Sequence, residues 1–201
     1  GNGLLVGNNG GTTGLLWNYE NGNTLFATNN IERLRIDSGG RLIIGHTAAL
    51  DEFHGPYGTT NRNPRIQING TNVTQASMSI TSWDNNVVGY YGPALFLAKS
   101  GSSTIGTNAR VSNNNSILGS IIFSGDDGTD FVKGAMIQAA VDTSTGDNDM
   151  PGRLMFLTTA DGAQEPTERL RINSSGQLIM TNAATQTFFD FSTTNNNTRG
   201  L

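Results

Sequence analysis

Two short stretches hold the densest charge in the chain. Glu32-Arg33-Leu34-Arg35 and Glu168-Arg169-Leu170-Arg171 each set one carboxylate beside two guanidiniums. Arg35 and Arg171 are candidate contacts for an acidic sugar, because a guanidinium grips a carboxylate through two parallel hydrogen bonds. The competing reading is an exposed strand face with inter-chain ion pairs that each contribute little, and recurrence of the set in two equivalent places favours it. Asp126-Asp127-Gly128-Thr129-Asp130 and Asp147-Asn148-Asp149 resemble acidic calcium loops. The first lacks the alternating ligand spacing and terminal Glu of an EF-hand, and acidic turns are ordinary in β proteins. His46 and His54, with Asp51 and Glu52 between them, fall in a Gly- and Pro-containing loop and read as solvent-exposed. No metal-ligating set and no cofactor is assigned. Glycoside hydrolysis needs two carboxylates held about 5–10 Å apart. The few acidic residues here sit mostly in turns beside Gly, so the chain reads as non-catalytic. Trp17, Tyr19, Trp83, Tyr90 and Tyr91 carry rings able to stack on sugar C–H faces. Trp83, Tyr90 and Tyr91 are the preferred binding candidates, whereas Trp17, beside Leu15-Leu16, reads as packed.

The elements that must position these groups are visible as a repeat. Residues 32–44 (ERLRIDSGGRLII) return at 168–180 (ERLRINSSGQLIM), preceded by the matching Leu25-Phe26-Ala27-Thr28 and Met155-Phe156-Leu157-Thr158. Leu34 and Ile36 alternate with Arg33 and Arg35, which is the period of a strand with one apolar face. Ser38-Gly39-Gly40 and Ser174-Ser175-Gly176 supply turn residues, with Gly available for positive φ. Leu42 and Ile44, or Leu178 and Met180, resume the apolar face. A lone two-stranded hairpin is marginal in water. The expected packing set, facing other copies of the chain, is Leu34, Ile36, Leu42 and Ile44 with Leu170, Ile172 and Leu178.

Composition agrees with a β-structure. Of 201 residues, 26 are Gly, only 35% are hydrophobic and 14% charged, against about 45–50% and 25% in an ordinary domain. So polar a chain buries little apolar surface by itself, which points to stabilisation by oligomerisation. The net charge of −4 and absence of a basic patch exclude nucleic acid as an expected partner. Cysteine is absent, so disulfides and thiolate metal sites are excluded. No run approaches the roughly 18 apolar residues of a membrane span. The chain begins at Gly1, as a processed product or a piece of a longer polypeptide would.

Along the chain, residues 1–50 read as an N-terminal β repeat module, with short strands at Leu4-Leu5-Val6 and Leu15-Leu16-Trp17. Residues 51–92 read as linker and short strands, including alternating segments at 65–69 and 75–81. Residues 93–182 read as the main β module. It holds a continuous apolar run at 94–98 that fits a buried strand, and an exposed polar loop or arm over 100–116. Strand 118–123 follows, and then a segment, 132–141, whose Ala and Met permit a helix but whose Gly134 and β context favour a strand. Residues 183–201 are a C-terminal tail. The Asn-Xaa-Thr triplets at Asn69 and Asn72 would have no bearing if the protein were made in bacteria.

Residues 93–180 resemble a segment that recurs in fibre proteins of tailed bacteriophages. The similarity rests on Leu95-Phe96-Leu97-Ala98-Lys99-Ser100 and Leu118-Gly119-Ser120-Ile121-Ile122-Phe123-Ser124-Gly125-Asp126-Asp127-Gly128. It continues through Asn148-Asp149-Met150-Pro151-Gly152-Arg153-Leu154-Met155-Phe156, Thr158-Thr159-Ala160-Asp161-Gly162 and Pro166-Thr167-Glu168-Arg169-Leu170-Arg171-Ile172. Residues 24–45 resemble the same closing unit, and the match covers roughly half to two-thirds of the chain. The turn Asp142-Thr143-Ser144-Thr145-Gly146 departs from the shorter Gly/Pro turn usual there. The resemblance implies an all-β fold of repeated hairpins and short strands in a homotrimeric fibre, built of intertwined β-prism modules, β-sandwich modules or both. It implies a structural virion protein, made in the host bacterial cytoplasm, that contacts other virion proteins and helps attach to a host surface glycan or outer-membrane receptor. The segment is often found upstream of an autoproteolytic chaperone domain, and nothing before Leu201 reads as one. A capsid head fibre or decoration protein is the alternative, and a glycan depolymerase a more distant one.

Overall fold

The computed structural model describes residues 3–8, 10–11, 14–83, 85, 92–111 and 114–180. Among these are thirteen strands and no helix, so the fold is all-β. The chain divides into two compact units. One holds residues up to Gly55, Thr59–Leu95 and Gly128–Phe131; the other holds Pro56–Gly58, Phe96–Asp127 and Val132 onwards.

In the first unit, β1 (Leu4–Asn8) and β2 (Gly14–Asn18) pair antiparallel. The first repeat forms a meander of β3 (Thr24–Thr28), β4 (Ile31–Ile36) and β5 (Leu42–Ile44). Asn29 and Asn30, at φ 51° and 56°, make the two-residue β3–β4 turn, a conformation for which Asn is among the better residues. The β4–β5 turn closes through Asp37 N–H to the Arg41 carbonyl and Gly40 N–H to the Asp37 carbonyl. Gly40 takes the left-handed position, φ 73°. Two short strands follow, β6 (Phe53–His54) and β7 (Asn61–Arg62), and Phe131 joins β6 in parallel with its ring stacked on Phe53 at 4.7 Å. Then β8 (Ile66–Ile68) adds parallel to β5, extending the repeat's sheet on that edge.

In the second unit, β9 (Ile117–Asp126) pairs with β10 (Phe131–Val141, here from Val132). Antiparallel β11 (Gly152–Thr158), β12 (Thr167–Ile172) and β13 (Leu178–Met180) complete the sheet. The second repeat is β11–β13 and reproduces the first hairpin closely. Asn173 N–H donates to the Gln177 carbonyl, Gly176 N–H to the Asn173 carbonyl, and Gly176 sits at φ 76°. Both repeats also carry a register shift at the same place, after Phe26 and after Phe156.

The ambiguous segment 132–141 is a strand. Met136, Gln138 and Ala140 are buried and alternate with half-buried Ile137 and Ala139, as a sheet residue pattern requires. Two expected strands are absent. Residues 77–83 are exposed and outside any strand, after a turn at 73–75. Residues 94–98 are likewise exposed and outside any strand, with Leu95 62% and Phe96 87% exposed. Alternation or apolarity gives a segment a face, but a strand exists only where another strand supplies the ladder. Within this chain, Leu97 lies over Gly119 of β9, where an added Cβ would meet the Leu97 side chain at 2.8 Å.

Candidate functional site

The charged pairs of the repeats close within the chain. Arg35 donates to both oxygens of Glu32 at 2.5 and 2.6 Å, and Arg171 to both oxygens of Glu168 at 2.6 and 2.9 Å. Partners three residues apart on a regular strand would face opposite sides. The bulge after Phe26 and after Phe156 changes the phase between them, and that bulge is what brings carboxylate and guanidinium together. These are therefore intra-chain bidentate pairs rather than the inter-chain pairs expected. The Arg35 hydrogen bond holds the Glu32 carboxyl below its usual range, and the carboxylates raise Arg35 and Arg171. In parallel, Arg33 Nε donates to Thr28 Oγ1 at 2.8 Å and Arg169 Nε to Thr158 Oγ1 at 2.9 Å.

Of the aromatic candidates, Trp83 is 96% exposed. Tyr90 and Tyr91 lie outside the described residues. Trp17 is half exposed rather than packed, with its ring centroid 6.2 Å from that of Tyr19.

The histidines differ from each other. His46 is exposed, as a loop residue should be. His54, by contrast, is buried on β6, with Nε2 3.7 Å from Asp130 and Nδ1 without a hydrogen-bond partner. Among the described residues no three of His, Asp and Glu gather as a metal ion would need. A buried cation that sequence reasoning missed is Lys133. It is 1% exposed, and its Nζ donates to Glu165 at 2.7 and 2.8 Å and to the Gly58 carbonyl at 3.0 Å. A lone Lys in the apolar run of 131–141 was the available sign, because such a charge is kept only with a partner.

The packing set lies on one face of each repeat sheet. Cross-strand partners share a face, so Leu34, Ile44 and Ile68 go with Phe26, and Ile36 and Leu42 with Ile66. In the second repeat, Leu170 and Met180 go with Phe156, and Ile172 and Leu178 with Leu154. None of these is buried within the chain. Ile36 is 46% exposed, Ile172 41% and Leu178 59%; Leu34, Leu42, Ile44 and Leu170 are half-buried. The opposite faces carry the buried Ile43 and Gln67, or Gln138 and Met155, beside half-buried Arg35 and Arg171, while Leu25 and Ile179 at their other ends stay exposed.

One cavity is built on the first repeat. It measures about 450 Å³ and is bounded by Ile31, Glu32, Arg33 and Ile44 of the meander and by Asn69, Thr71 and Gln75 after β8. Two glycines allow its walls to close. An added Cβ at Gly45, which has φ 78°, would run into the Asn69 carbonyl, and one at Gly70 into the Gln75 side chain. Asn69 N–H donates to the Ile44 carbonyl at 2.9 Å and seats the turn on the sheet.

The arrangement defines a class: an all-β chain of repeated, bulged hairpins with uncovered apolar faces, of tail-fibre-like fold. Its fold is similar to the carboxy-terminal domain of the bacteriophage T5 L-shaped tail fibre, with a TM-score of 0.53 and 14% identity, across 94% of this chain and 77% of that one. No protein-family pattern matches the sequence, and no curated protein matches it. At that identity the likeness is one of fold, and function has to be argued from the surface.

Proposed function

We propose that the chain is a non-catalytic structural segment of a bacteriophage virion fibre, homotrimeric, and that it contributes to host attachment by multivalent surface binding. The observation that carries this reading is the paired apolar face left uncovered on both repeats, on a fold similar to that of a tail-fibre domain. An apolar face of this extent on a polar chain marks an interaction surface. Rotational symmetry around the face makes the contact self-limiting, where open edges would otherwise pair without end. Leu34, Ile36, Leu42 and Ile44, with Leu170, Ile172 and Leu178, then pack against their copies. Three copies of each surface site on one rod bind repeated cell-surface groups through effective concentration, so weak single contacts suffice. Exposed Trp83, together with Tyr90 and Tyr91, offers stacking surfaces for a glycan. Arg35 and Arg171 act there by fixing the hairpins that present such surfaces, since their guanidiniums are engaged by Glu32 and Glu168.

Light scattering on a sizing column tests the assembly. The expected mass is three times the 21.3 kDa of one chain, and a stable monodisperse monomer would overturn the reading. Leu170→Asp is expected to abolish the trimer. Adsorption of the purified chain to host cells, and its competition with phage attachment, tests the second half; binding to capsids alone would place it in the head instead.

A further inference from the structure

The sheet of the second unit ends in an unguarded strand. β9 is ten residues long and pairs only with β10, so its far edge meets no other strand among the described residues. The other strands that end a sheet, β1, β2, β3, β7, β8 and β13, are five residues or shorter. A long open edge offers a row of backbone N–H and C=O groups to any strand that approaches, and edges left in water are usually guarded by charge or Pro. Residues 117–125 (ILGSIIFSG) hold neither. Ile121 and Phe123, two apart and so on one face, are both exposed.

The same chain carries a segment with a strand's pattern and no ladder. Residues 77–81 (SMSIT) alternate hydroxyl and apolar side chains but belong to no strand. The hydroxyls of Ser79 and Thr81 meet at 2.9 Å, so these two side chains point the same way. The apolar alternates, Met78 and Ile80, are exposed. No charged residue occurs from Ile66 to Trp83, so nothing in this segment opposes an uncharged edge. Residues 94–98 are the rival donor. Leu97, however, already lies against the position of a Gly119 Cβ, and a Cβ leaves a strand towards the face of the sheet, not its edge.

We propose that residues 77–81 of one copy add as a strand to the β9 edge of a neighbouring copy. Main-chain hydrogen bonds hold such a strand, and Met78 and Ile80 then lie beside Ile121 and Phe123 as cross-strand neighbours. Segment and edge are different surfaces of one chain, so the contact is heterologous and becomes self-limiting when the copies close into a ring. β9 belongs to the sheet that carries the second repeat, whose apolar face the trimer reading already sets between copies, so the edge continues that interface. The assignment rests on the homotrimeric reading and names the strands that join the copies.

The chain has no cysteine, which suits it to disulfide cross-linking. Met78→Cys or Ile80→Cys is combined with Ile121→Cys or Phe123→Cys in the full chain, and each double variant is oxidised and run on a denaturing, non-reducing gel. Cross-strand neighbours meet the Cα spacing of about 4.4–6.8 Å that a disulfide needs. Each copy gives one strand and receives one, so at least one double variant is expected to form a covalent ladder reaching three chains. Bonds confined within single chains, or no bond in any double variant, overturn the proposal. So does a bond formed by Ile121→Cys or Phe123→Cys alone, which would pair β9 with β9. Ile80→Asp, at a position exposed in the single chain, is expected to raise the concentration at which the assembly dissociates at least about tenfold; unchanged assembly would count against the strand addition. Light scattering on the wild type separates the two levels. A trimer that yields no cross-link keeps the trimer reading and overturns this assignment. Cross-links in an assembly of two chains, or in an open series, uphold the strand addition and overturn the trimer; a wild type that stays monomeric overturns both.

Discussion

The first repeat buries Ile43 completely and leaves Leu25 54% exposed, while the second buries Met155 to 5% and leaves Ile179 38% exposed. These residues are counterparts: Leu25, Arg35 and Ile43 lie in one cross-strand row, and Met155, Arg171 and Ile179 in the other. The hairpin, the bulge and the Glu–Arg pair are the same in both. What differs is the edge at which the sheet grows. In the first repeat β8 adds beside β5, and Gln67 reaches across to the Leu50 backbone, accepting at 2.9 Å and donating at 2.9 Å, so cover falls over Ile43. In the second, β10 and β9 add beside β11, and Gln138 and Met136 bring cover to Met155. The motif thus specifies a hairpin, and its neighbours decide which end of it becomes core.

That comparison breaks most sharply through large-to-small changes. Ile43→Ala and Met155→Ala are each expected to cost about 2–5 kcal/mol, whereas Leu25→Ala and Ile179→Ala cost less than about 1 kcal/mol. Urea unfolding of the four variants checks the crossed pattern. Equal costs within a row would mean that assembly covers both ends and the asymmetry belongs to one chain alone. Next in size is the buried cation of the second unit, Lys133. Glu165→Gln leaves Lys133 without its carboxylate and is expected to cost about 2 kcal/mol, below the 3–5 of a fully buried pair because Glu165 is 44% exposed. The double variant Lys133→Met with Glu165→Gln is expected to recover part of that loss. Where the repeats are alike, the costs must match: Gly40→Ala and Gly176→Ala each force a Cβ into φ 73° or 76° and should cost about 1 kcal/mol. A large inequality there would show that the two turns are not equivalent.

Much of the fold was legible because it is local. The repeat, its strand–turn–strand form, the positive φ of Gly40 and Gly176, and the strands at 4–8, 14–18 and 117–126 all follow from period and turn chemistry. The failures share a cause. Residues 75–81 and 94–98 have strand-like patterns but belong to no strand, and pairing is a long-range matter that pattern does not fix. His54 was read as a loop residue because β6 is only two residues long, and its burial comes from β7 and from Asp130, 76 residues downstream. The cavity was invisible for the same reason: Arg33 and Ile44 meet Asn69 and Gln75 only through the parallel addition of β8. The bidentate Glu–Arg pairs could have been anticipated had the bulge been recognised, since a bulge is the device that puts positions three apart on one side.

The smallest effect separates the two turns by charge alone. In the first, Asp37 Oδ1 accepts the N–H groups of Gly39 and Arg41, and Oδ2 accepts Arg41 Nε at 2.7 Å. In the second, Asn173 takes the Asp37 position, accepts the matching N–H groups of Ser175 and Gln177, and donates to the Gln177 side chain. The charge of the second turn comes instead from Asp142, which accepts Ser174 N–H and O–H and lies 3.4 Å from Arg153. The Arg41 backbone N–H, followed by its guanidinium, holds the Asp37 carboxyl below its ordinary range; Ser174 and then Arg153 do the same for Asp142. A carboxyl lowered in the folded state binds fewer protons there than in the unfolded chain, so its contribution is complete above the unfolded value near 4 and disappears as pH falls through the lower folded value. Asp37→Asn converts the first turn to the chemistry the second already uses. It is expected to cost about 1 kcal/mol at pH 7, because the amide keeps the backbone hydrogen bonds and only the part-buried contact with Arg41 is lost, and progressively less as pH falls below about 4. The acid-side loss of stability should become shallower by the Asp37 share, while Asp142→Asn removes the share of the second turn. Urea midpoints across pH 2.5–7 read both slopes. A variant equally destabilised at both ends of that range would show that Asp37 acts through shape rather than charge, and the two turns would then differ in geometry as well as in electrostatics.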